Sequence, residues 1–309
     1  MAERLPMYGG QAVMEGVMMR GKQSVAIAMR APDQQIVVHK ESLGAVYRSR
    51  LTRIPFMRGL MMLWDALGLG MRALTISANL QSGEDEKLEG PALYLTLGFS
   101  LLFAVGLFFL LPAAAGQLGE FLLTRSASQS ILQSQQAAST SWAAWIGNLI
   151  EGIVRLLLLV GYIALVGKIP EIKRVFMYHG AEHKTINAFE SRADLTPEIV
   201  KRFPLEHPRC GTSFLLTLVL LSVLIFTLLG PLPLTWRLAS RIIFIPVLAG
   251  IAYEYIRWTS NHLDWSIVRW IVRPNLALQR LTTREPTLEM LEVAIAAFEA
   301  MRKDEPGVT

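Results

Sequence analysis

Long runs of apolar residues dominate the middle of the chain. Residues 94–111 carry no charged side chain over eighteen positions, and a helix needs about 20 mainly apolar residues to cross a bilayer. Three further segments have the length and composition of spanning helices: 142–166, 212–230 and 236–258. The pattern therefore predicts four transmembrane helices, the last two of which form a hairpin around a short Pro-rich connection.

A fifth apolar segment, 54–80, has a different pattern. Polar side chains recur in it at every seventh position, which places them on one side of a helix: Arg58, Asp65, Arg72 and Asn79. A polar stripe on an apolar helix favours an interfacial or re-entrant location over a crossing one. The alternative, that the segment spans the membrane and turns its stripe toward neighbouring helices, stays open.

The two ends of the chain have the patterns of water-exposed structure. Residues 24–30 and 36–40 flank a turn with the sequence APDQQ and predict a β-hairpin that includes His39. Residues 287–303 predict an amphipathic helix, since Thr287 suits the N-cap and apolar residues repeat along one side. That apolar stripe requires a partner surface.

The fold class that follows is mainly α: a polytopic helical membrane protein with four transmembrane helices, an additional interfacial or re-entrant amphipathic helix and a small N-terminal β-hairpin. Six segments result: a cytosolic Gly-rich motif and hairpin (1–53), the amphipathic helix (54–80), a first transmembrane pair with an external Ser/Gln-rich loop (94–166), a cytosolic motif loop (167–211), a second transmembrane pair (212–258) and a cytosolic C-terminal amphipathic helix (259–309).

Composition and charge agree with a membrane protein. The 309 residues are 52% hydrophobic and 18% charged, which is more apolar than a soluble domain of this length. Lys and Arg number eleven in 1–93, one in 117–141, eight in 167–211, none in 230–235 and seven in 257–309. The positive-inside rule then predicts that both termini and the 167–211 loop are cytosolic. No pattern typical of nucleic-acid binding occurs, and the first residues lack a signal peptide's apolar core.

The 167–211 loop contains the candidate catalytic and metal-binding residues. His179, Glu182 and His183 form an H-x-x-E-H motif, and on a helix the two imidazoles lie one turn apart on the same side. In inverted zincins such a pair binds a metal, and the glutamate acts as general base. Glu182 is therefore the candidate catalytic residue.

Downstream, His207 and Cys210 lie three residues apart, so that three of the five histidines and the single cysteine fall within 179–210. Nitrogen and sulfur ligands favour zinc, and His179, His183, His207 and Cys210 are the candidate metal ligands. Four ligands would close the coordination sphere, whereas three would leave a position for catalysis. The alternative is that the histidines only form hydrogen bonds and that Cys210 packs as a small apolar residue.

Two further motifs lie outside this loop. Glycines surround Glu15 in residues 8–21, a pattern that favours a packing segment over a functional role for Glu15 or Arg20. Glu151 and Arg155 fall inside a predicted span with the favourable i to i+4 order, which indicates mutual neutralisation within the membrane. A polar pathway through this pair is the alternative.

Four stretches together resemble the DUF1385 (YqhQ-like) family of bacterial integral membrane proteins: GGQAVMEGVMMRG, YHGAEHKTINAFE, HPRCGTSFLL and LTTREPTLEMLEVAIAAF. The resemblance covers residues 8 to about 300. It implies a location in the bacterial inner membrane and carries the label of a predicted metal-dependent enzyme. The positions that match its motifs are Glu15, His179, Glu182, His183, His207 and Cys210.

Two functions follow as hypotheses. The first is an integral membrane protein with a divalent-metal site at the cytosolic face, zinc being the ion that its ligands favour, which hydrolyses a peptide or lipid-linked substrate. The second is a non-catalytic scaffold or assembly factor that binds another membrane protein in addition to the lipid bilayer. A transporter fits less well, because four spans without an inverted repeat lack the usual architecture.

Overall fold

A computed structural model gives the architecture of the chain. It describes residues 6, 8–44, 54–82, 90–128, 136–230, 232 and 234–305. The chain folds into two compact units. The first unit comprises 1–88, 164–214 and 253–309, and the second comprises 89–163 and 215–252. Part of the predicted external loop, 129–135, lies outside the described residues.

A four-stranded antiparallel sheet begins the first unit. Its strands pair in sequence order: β1 (Gly9–Val13), β2 (Gly16–Arg20), β3 (Ser24–Arg30) and β4 (Ile36–Ser42). The predicted hairpin is confirmed as β3 and β4, with Ile27 opposite His39. The glycine-rich segment, for which only a packing role was predicted, forms a second hairpin whose turn holds Glu15 at φ 50°.

Helices cover both faces of this sheet, which explains why β3 is buried along nearly its whole length. One face packs on α1 (Met57–Gln81) through Met18, Ile27 and Ala73. The other face packs on α5 (Pro170–Glu190) and α10 (Leu288–Arg302), where Tyr178 and Phe298 are almost fully enclosed. Burial of one large apolar side chain contributes about 1.5–3 kcal/mol, so this face accounts for much of the stability of the unit.

The predicted C-terminal helix is confirmed as α10, and Thr287 is its N-cap: the Thr287 hydroxyl accepts a hydrogen bond from the Met290 amide at 3.3 Å. Its apolar stripe is buried against the sheet and α5, with Leu291 and Phe298 at 0% exposure. The partner surface that the sequence required is therefore another part of the same chain.

Helix α1 forms where the amphipathic segment was predicted, and part of its polar stripe has protein partners. Arg58 forms an ion pair with Glu254, and Arg72 lies 3.0 Å from Glu41 of β4. Away from this stripe, α1 exposes Trp64 and Leu67, at 67% and 60%. Its interfacial or re-entrant location stays a prediction.

Within the described residues, four helices are long and apolar enough to cross a membrane: Gly90–Arg125, Trp142–Val166, Gly211–Leu228 and Thr235–Asn261. They contain or overlap all four predicted spans. The first consists of α2 (Gly90–Val105), a π-helical turn (Gly106–Leu110) and α3 (Leu111–Ser128). The others belong to α4 (Gln136–Val166), α7 (Gly211–Leu228) and α8 (Leu234–Asn261). Four such helices indicate a membrane protein.

A buried ionic network occupies the second unit. The predicted pair is present, with Arg155 donating to Glu151 at 2.7 Å, and Arg241 donates to both oxygens of the same carboxylate. Arg155 also donates to the carbonyl of Phe108, which lies in the π-helical turn. Sequence reasoning missed Arg241, because its distance along the chain gives no periodic relation to Glu151.

Two helices in the first unit were not predicted separately. The short α6 (Pro197–Val200) lies in the motif loop, and α9 (Ser266–Thr282) precedes α10 in the C-terminal segment. The motif loop is thus largely helical, with α5 as its main element.

Candidate metal centre

Helix α5 supplies the first two side chains of the centre. Pro170 occupies its first turn, where a missing amide hydrogen costs nothing, and the helix continues through the motif to Glu190. His179 and His183 therefore project from successive turns, with ring centroids 4.4 Å apart. Gly180 lies between them because a Cβ there would approach the carbonyl oxygen of Arg284 to 2.2 Å.

Cys210 completes a cluster of three. It is the last residue before α7, and its ligand atom and those of His179 and His183 all lie within 4.8 Å of one another. Nε2 of His179 is 3.2 Å from the Cys210 sulfur. The cluster joins residues 31 positions apart in sequence. The fold thus brings these three candidate ligands together, and their binding of a metal stays a prediction.

Backbone carbonyls orient both imidazoles. Nδ1 of His179 donates to the carbonyl of Thr282 at 2.9 Å, and Nδ1 of His183 donates to that of Leu205 at 2.5 Å. A carbonyl can only accept, so the proton is on Nδ1 and, in the neutral ring, the lone pair is on Nε2. Metal-binding histidines are typically held in this way. Nε2 of His183 is buried and has no hydrogen-bond partner among the residues that the structure describes.

Glu182 lies beside the cluster, and its Oε2 is also buried and lacks a hydrogen-bond partner in the described part of the chain. Gly10 of β1 lies against this carboxylate, and its backbone acts to lower the pKa of Glu182, against the effect of burial. A Cβ at position 10 would lie 2.6 Å from the carbonyl oxygen of Met18 and 3.0 Å from Glu182. Gly10 of the glycine-rich motif thus allows the sheet to approach Glu182 closely.

The charges of the cluster are coupled. Burial alone would lower the pKa of His179, but the adjacent Cys210 thiolate and Glu182 raise it to about 9. Burial would raise the pKa of Cys210, yet the charges of His179 and His183 hold it well below its usual range. Burial raises the pKa of Glu182, against the opposing effect of the two histidines. The charge of each of these three groups therefore depends on the charges of the other two.

His207, the fourth predicted ligand, lies next to the cluster but outside the group of three. Its ring centroid is 5.7 Å from that of His183, and its Nε2 is 3.6 Å from Oε2 of Glu190. Gln279 of α9 holds its backbone by accepting from the amide at 2.9 Å and donating to the carbonyl at 2.8 Å. Burial lowers the pKa of His207. Its role as a ligand stays a prediction.

Three residues that position the cluster were missed from sequence: Gly10, Gln279 and Thr282. The dense glycines around position 10 were the available signal for the first. Gln279 and Thr282 act through contacts across 72 and 103 positions, and no local pattern marks them.

The donor set fits a zinc-type ion chemically. Two imidazole nitrogens and one thiolate are ligands that zinc prefers, and a set of three leaves a fourth tetrahedral position for a water or substrate. The unpartnered Nε2 of His183 and Oε2 of Glu182 are buried polar atoms of the kind that a bound ion and its ligands would satisfy.

The four apolar helices and this buried cluster together indicate a helical membrane protein that carries an internal His/Cys group. The chain belongs to the DUF1385 family: the family model, described as a protein of unknown function, matches residues 54–304. The chain is 36% identical over 310 residues to "Uncharacterized protein YqhQ" of Bacillus subtilis (strain 168), across 95% of this chain and 91% of the relative. No solved structure matches it. Neither description names a reaction.

Proposed function

We propose that this chain is a multi-pass protein of the bacterial inner membrane that binds one divalent metal ion, zinc by preference, through His179, His183 and Cys210. The orientation of the two histidines carries the proposal. Each commits its Nδ1 to a backbone carbonyl, and both Nε2 atoms are left near one thiolate. The distribution of Lys and Arg supports cytosolic termini and a site on the cytosolic side.

The further proposal is that the metal serves hydrolysis. When bound in a three-ligand site, zinc supplies Lewis-acid chemistry. Glu182 would act as the general base, because its Oε2 is free to accept a proton and burial raises its pKa. The close approach of Gly10 to the Glu182 side chain limits the positions that the carboxylate can take. A peptide or lipid-linked substrate is the class that a site in a membrane protein would meet.

Metal analysis of the full-length protein, purified in detergent, tests the binding step. We expect about one zinc per chain and its loss in a His179→Ala, His183→Ala double variant. His39→Ala is the matched control, because His39 lies on the exposed strand β4, paired with Glu41. If the protein is metal-free and chelators leave its thermal unfolding unchanged, the proposal is wrong.

A second comparison tests hydrolysis separately from binding. Membranes from cells that contain wild-type protein or Glu182→Gln are compared by mass spectrometry of peptides and lipids. The variant should keep its zinc and accumulate an uncleaved substrate. Equal profiles for the two proteins, with zinc retained in both, would leave a metal site without hydrolytic function.

The scaffold hypothesis predicts a different result. Glu182→Gln should be fully functional, whereas deletion of residues 287–303 should abolish function. Two surfaces that could bind another protein have partners within the chain instead: the stripe of α10 packs on the sheet, and Arg58 and Arg72 of α1 pair with Glu254 and Glu41. Since truncation at 287 would also unfold the sheet face, cross-linking to a second membrane protein is the cleaner measurement.

A further inference from the structure

Helix α9 has three distinct sides. One side is buried in the first unit and includes Val268, Val272 and Gln279. These positions recur at intervals of four and seven, as expected for one side of a helix. The other two sides are exposed, and their composition differs sharply.

The first exposed side is apolar. Ile267 is 65% exposed, Trp270 67% and Ile271 38%, and spacings of three and four place them together. Pro274 continues the same side and is also exposed. A soluble helix would turn such residues inward, and exposed large apolar patches mark interaction surfaces.

The second exposed side is basic and borders the apolar one. Arg269 and Arg273 lie one turn apart, and both are exposed. Within the described residues, the Arg269 side chain donates a hydrogen bond inside its own first turn, to the Ser266 hydroxyl at 3.2 Å. An apolar strip bordered by arginines is the composition of helices that lie in the plane of a membrane surface.

Position along the chain points to the same surface. The last candidate span ends at Asn261, and α9 begins at Ser266. The rings of Trp258, His262 and Trp265 pack together at this junction, with centroid distances of 5.0 Å and 5.1 Å to the histidine. Tryptophans are enriched where spanning helices leave the hydrocarbon region.

We propose that α9 lies in the interface of an anionic bilayer, with Ile267, Trp270 and Ile271 among the upper acyl chains and Arg269 and Arg273 at lipid phosphates. The apolar side supplies hydrophobic contact, and the arginines supply attraction to phosphatidylglycerol-type headgroups. The basic side selects a lipid surface over a purely apolar protein partner, because lipid phosphates lie beside the acyl region.

This surface has a direct connection to the cluster on α5. The end of the same helix provides Gln279, which holds the backbone of His207, and Thr282, which orients His179. Thr282 is 12 residues from Trp270, or about 18 Å along the helix. The docked helix would hold the cluster at headgroup depth, whether or not the cluster binds a metal.

The test uses the full-length chain in vesicles with an environment-sensitive fluorophore on Ile271→Cys. The wild-type protein, whose only thiol is the buried Cys210, measures background labelling. Glu299→Cys, on the exposed side of α10, is the matched control. In vesicles of phosphatidylcholine and phosphatidylglycerol, lipids brominated at shallow acyl positions should quench the label at 271 several-fold more than the label at 299.

Charge reversal tests the choice of lipid. Arg269→Glu with Arg273→Glu should remove the dependence of quenching on phosphatidylglycerol, whereas the same reversal at exposed Lys201 and Arg202 should preserve it. If aqueous iodide quenches positions 271 and 299 equally, the proposal is wrong. It is also wrong if neither lipid nor iodide reaches position 271, which would indicate a protein partner, or if quenching in the unreversed protein is the same without phosphatidylglycerol.

Discussion

Gly10 determines how closely the sheet approaches the candidate catalytic carboxylate. We expect Gly10→Ala to destabilise the protein by about 1–3 kcal/mol, because its Cβ would lie 2.6 Å from the Met18 carbonyl oxygen and 3.0 Å from Glu182. Gly9→Ala is the matched control, since no described residue lies within 4 Å of a Cβ there. Thermal unfolding of the purified variants measures the difference. Equal loss of stability in both variants would contradict the role of Gly10.

The charge state of Cys210 provides a second test at the scale of a single residue. Because its pKa is held well below the ordinary range by His179 and His183, against the effect of burial, the metal-free protein should keep a thiolate as pH falls through neutrality. His179→Ala should raise this pKa. Ultraviolet thiolate absorbance as a function of pH measures it, with Cys210→Ser as the blank. Absorbance that appears only at the pH of an ordinary thiol would contradict the expectation.

At the scale of single residues, spacing along the sequence predicted part of the candidate metal centre. The interval of four identified His179 and His183, and the cluster of chemistry-bearing residues within 179–210 added Cys210. Spacing could not show that His207 turns toward Glu190, since that depends on Gln279 from a distant helix. Nor could it show that Gly10 meets Glu182, because the contact joins two elements far apart in sequence.

Helices α1 and α10 formed where the sequence periodicity predicted them. The periodicity did not predict which elements pack on one another. The stripe of α10 correctly predicted an amphipathic helix, yet its partner is the sheet whose inner strands the same chain supplies. The polar stripe of α1 was found from a seven-residue repeat, whereas its pairing with Glu254 and Glu41 required the fold. The periodicity of apolar residues identifies which side of an element is buried. The surface on which that side packs is known only from the tertiary structure.

The N-cap of α10 offers a test at the scale of an element. Thr287→Ala should lower stability by about 1 kcal/mol, because the Met290 amide would lose the hydroxyl acceptor. Thr287→Ser keeps that acceptor and should be nearly neutral. Chemical denaturation of the two variants measures the difference, and an unaffected alanine variant would show that the cap adds little in the packed protein.

At the scale of the whole molecule, disruption of the buried ionic network in the second unit should lower stability more than the substitutions described above. Glu151→Gln leaves Arg155 and Arg241 without the carboxylate that both of them bind. Breaking a buried ion pair on one side costs about 3–5 kcal/mol, so unfolding in detergent should occur under much milder conditions. Glu120→Gln is the control, because that side chain is 27% exposed while that of Glu151 is 2% exposed. Similar losses for both variants would contradict the special role of Glu151.

Helix α5 is enclosed by the two ends of the chain: β1 and β2 on one part of its surface and α10 on another. The ends also bond directly, since the Gln23 amide donates to Glu305 and the Ser24 hydroxyl to the Met301 carbonyl. During translation at ~5–20 residues per second, the ribosome needs roughly 6–23 s to proceed from the end of α5 to residue 305. For that interval α5 lacks the contacts that α10 supplies. The enclosure of α5 is therefore completed only after the C-terminal helix has been synthesised, because it depends on contacts between the two ends of the chain.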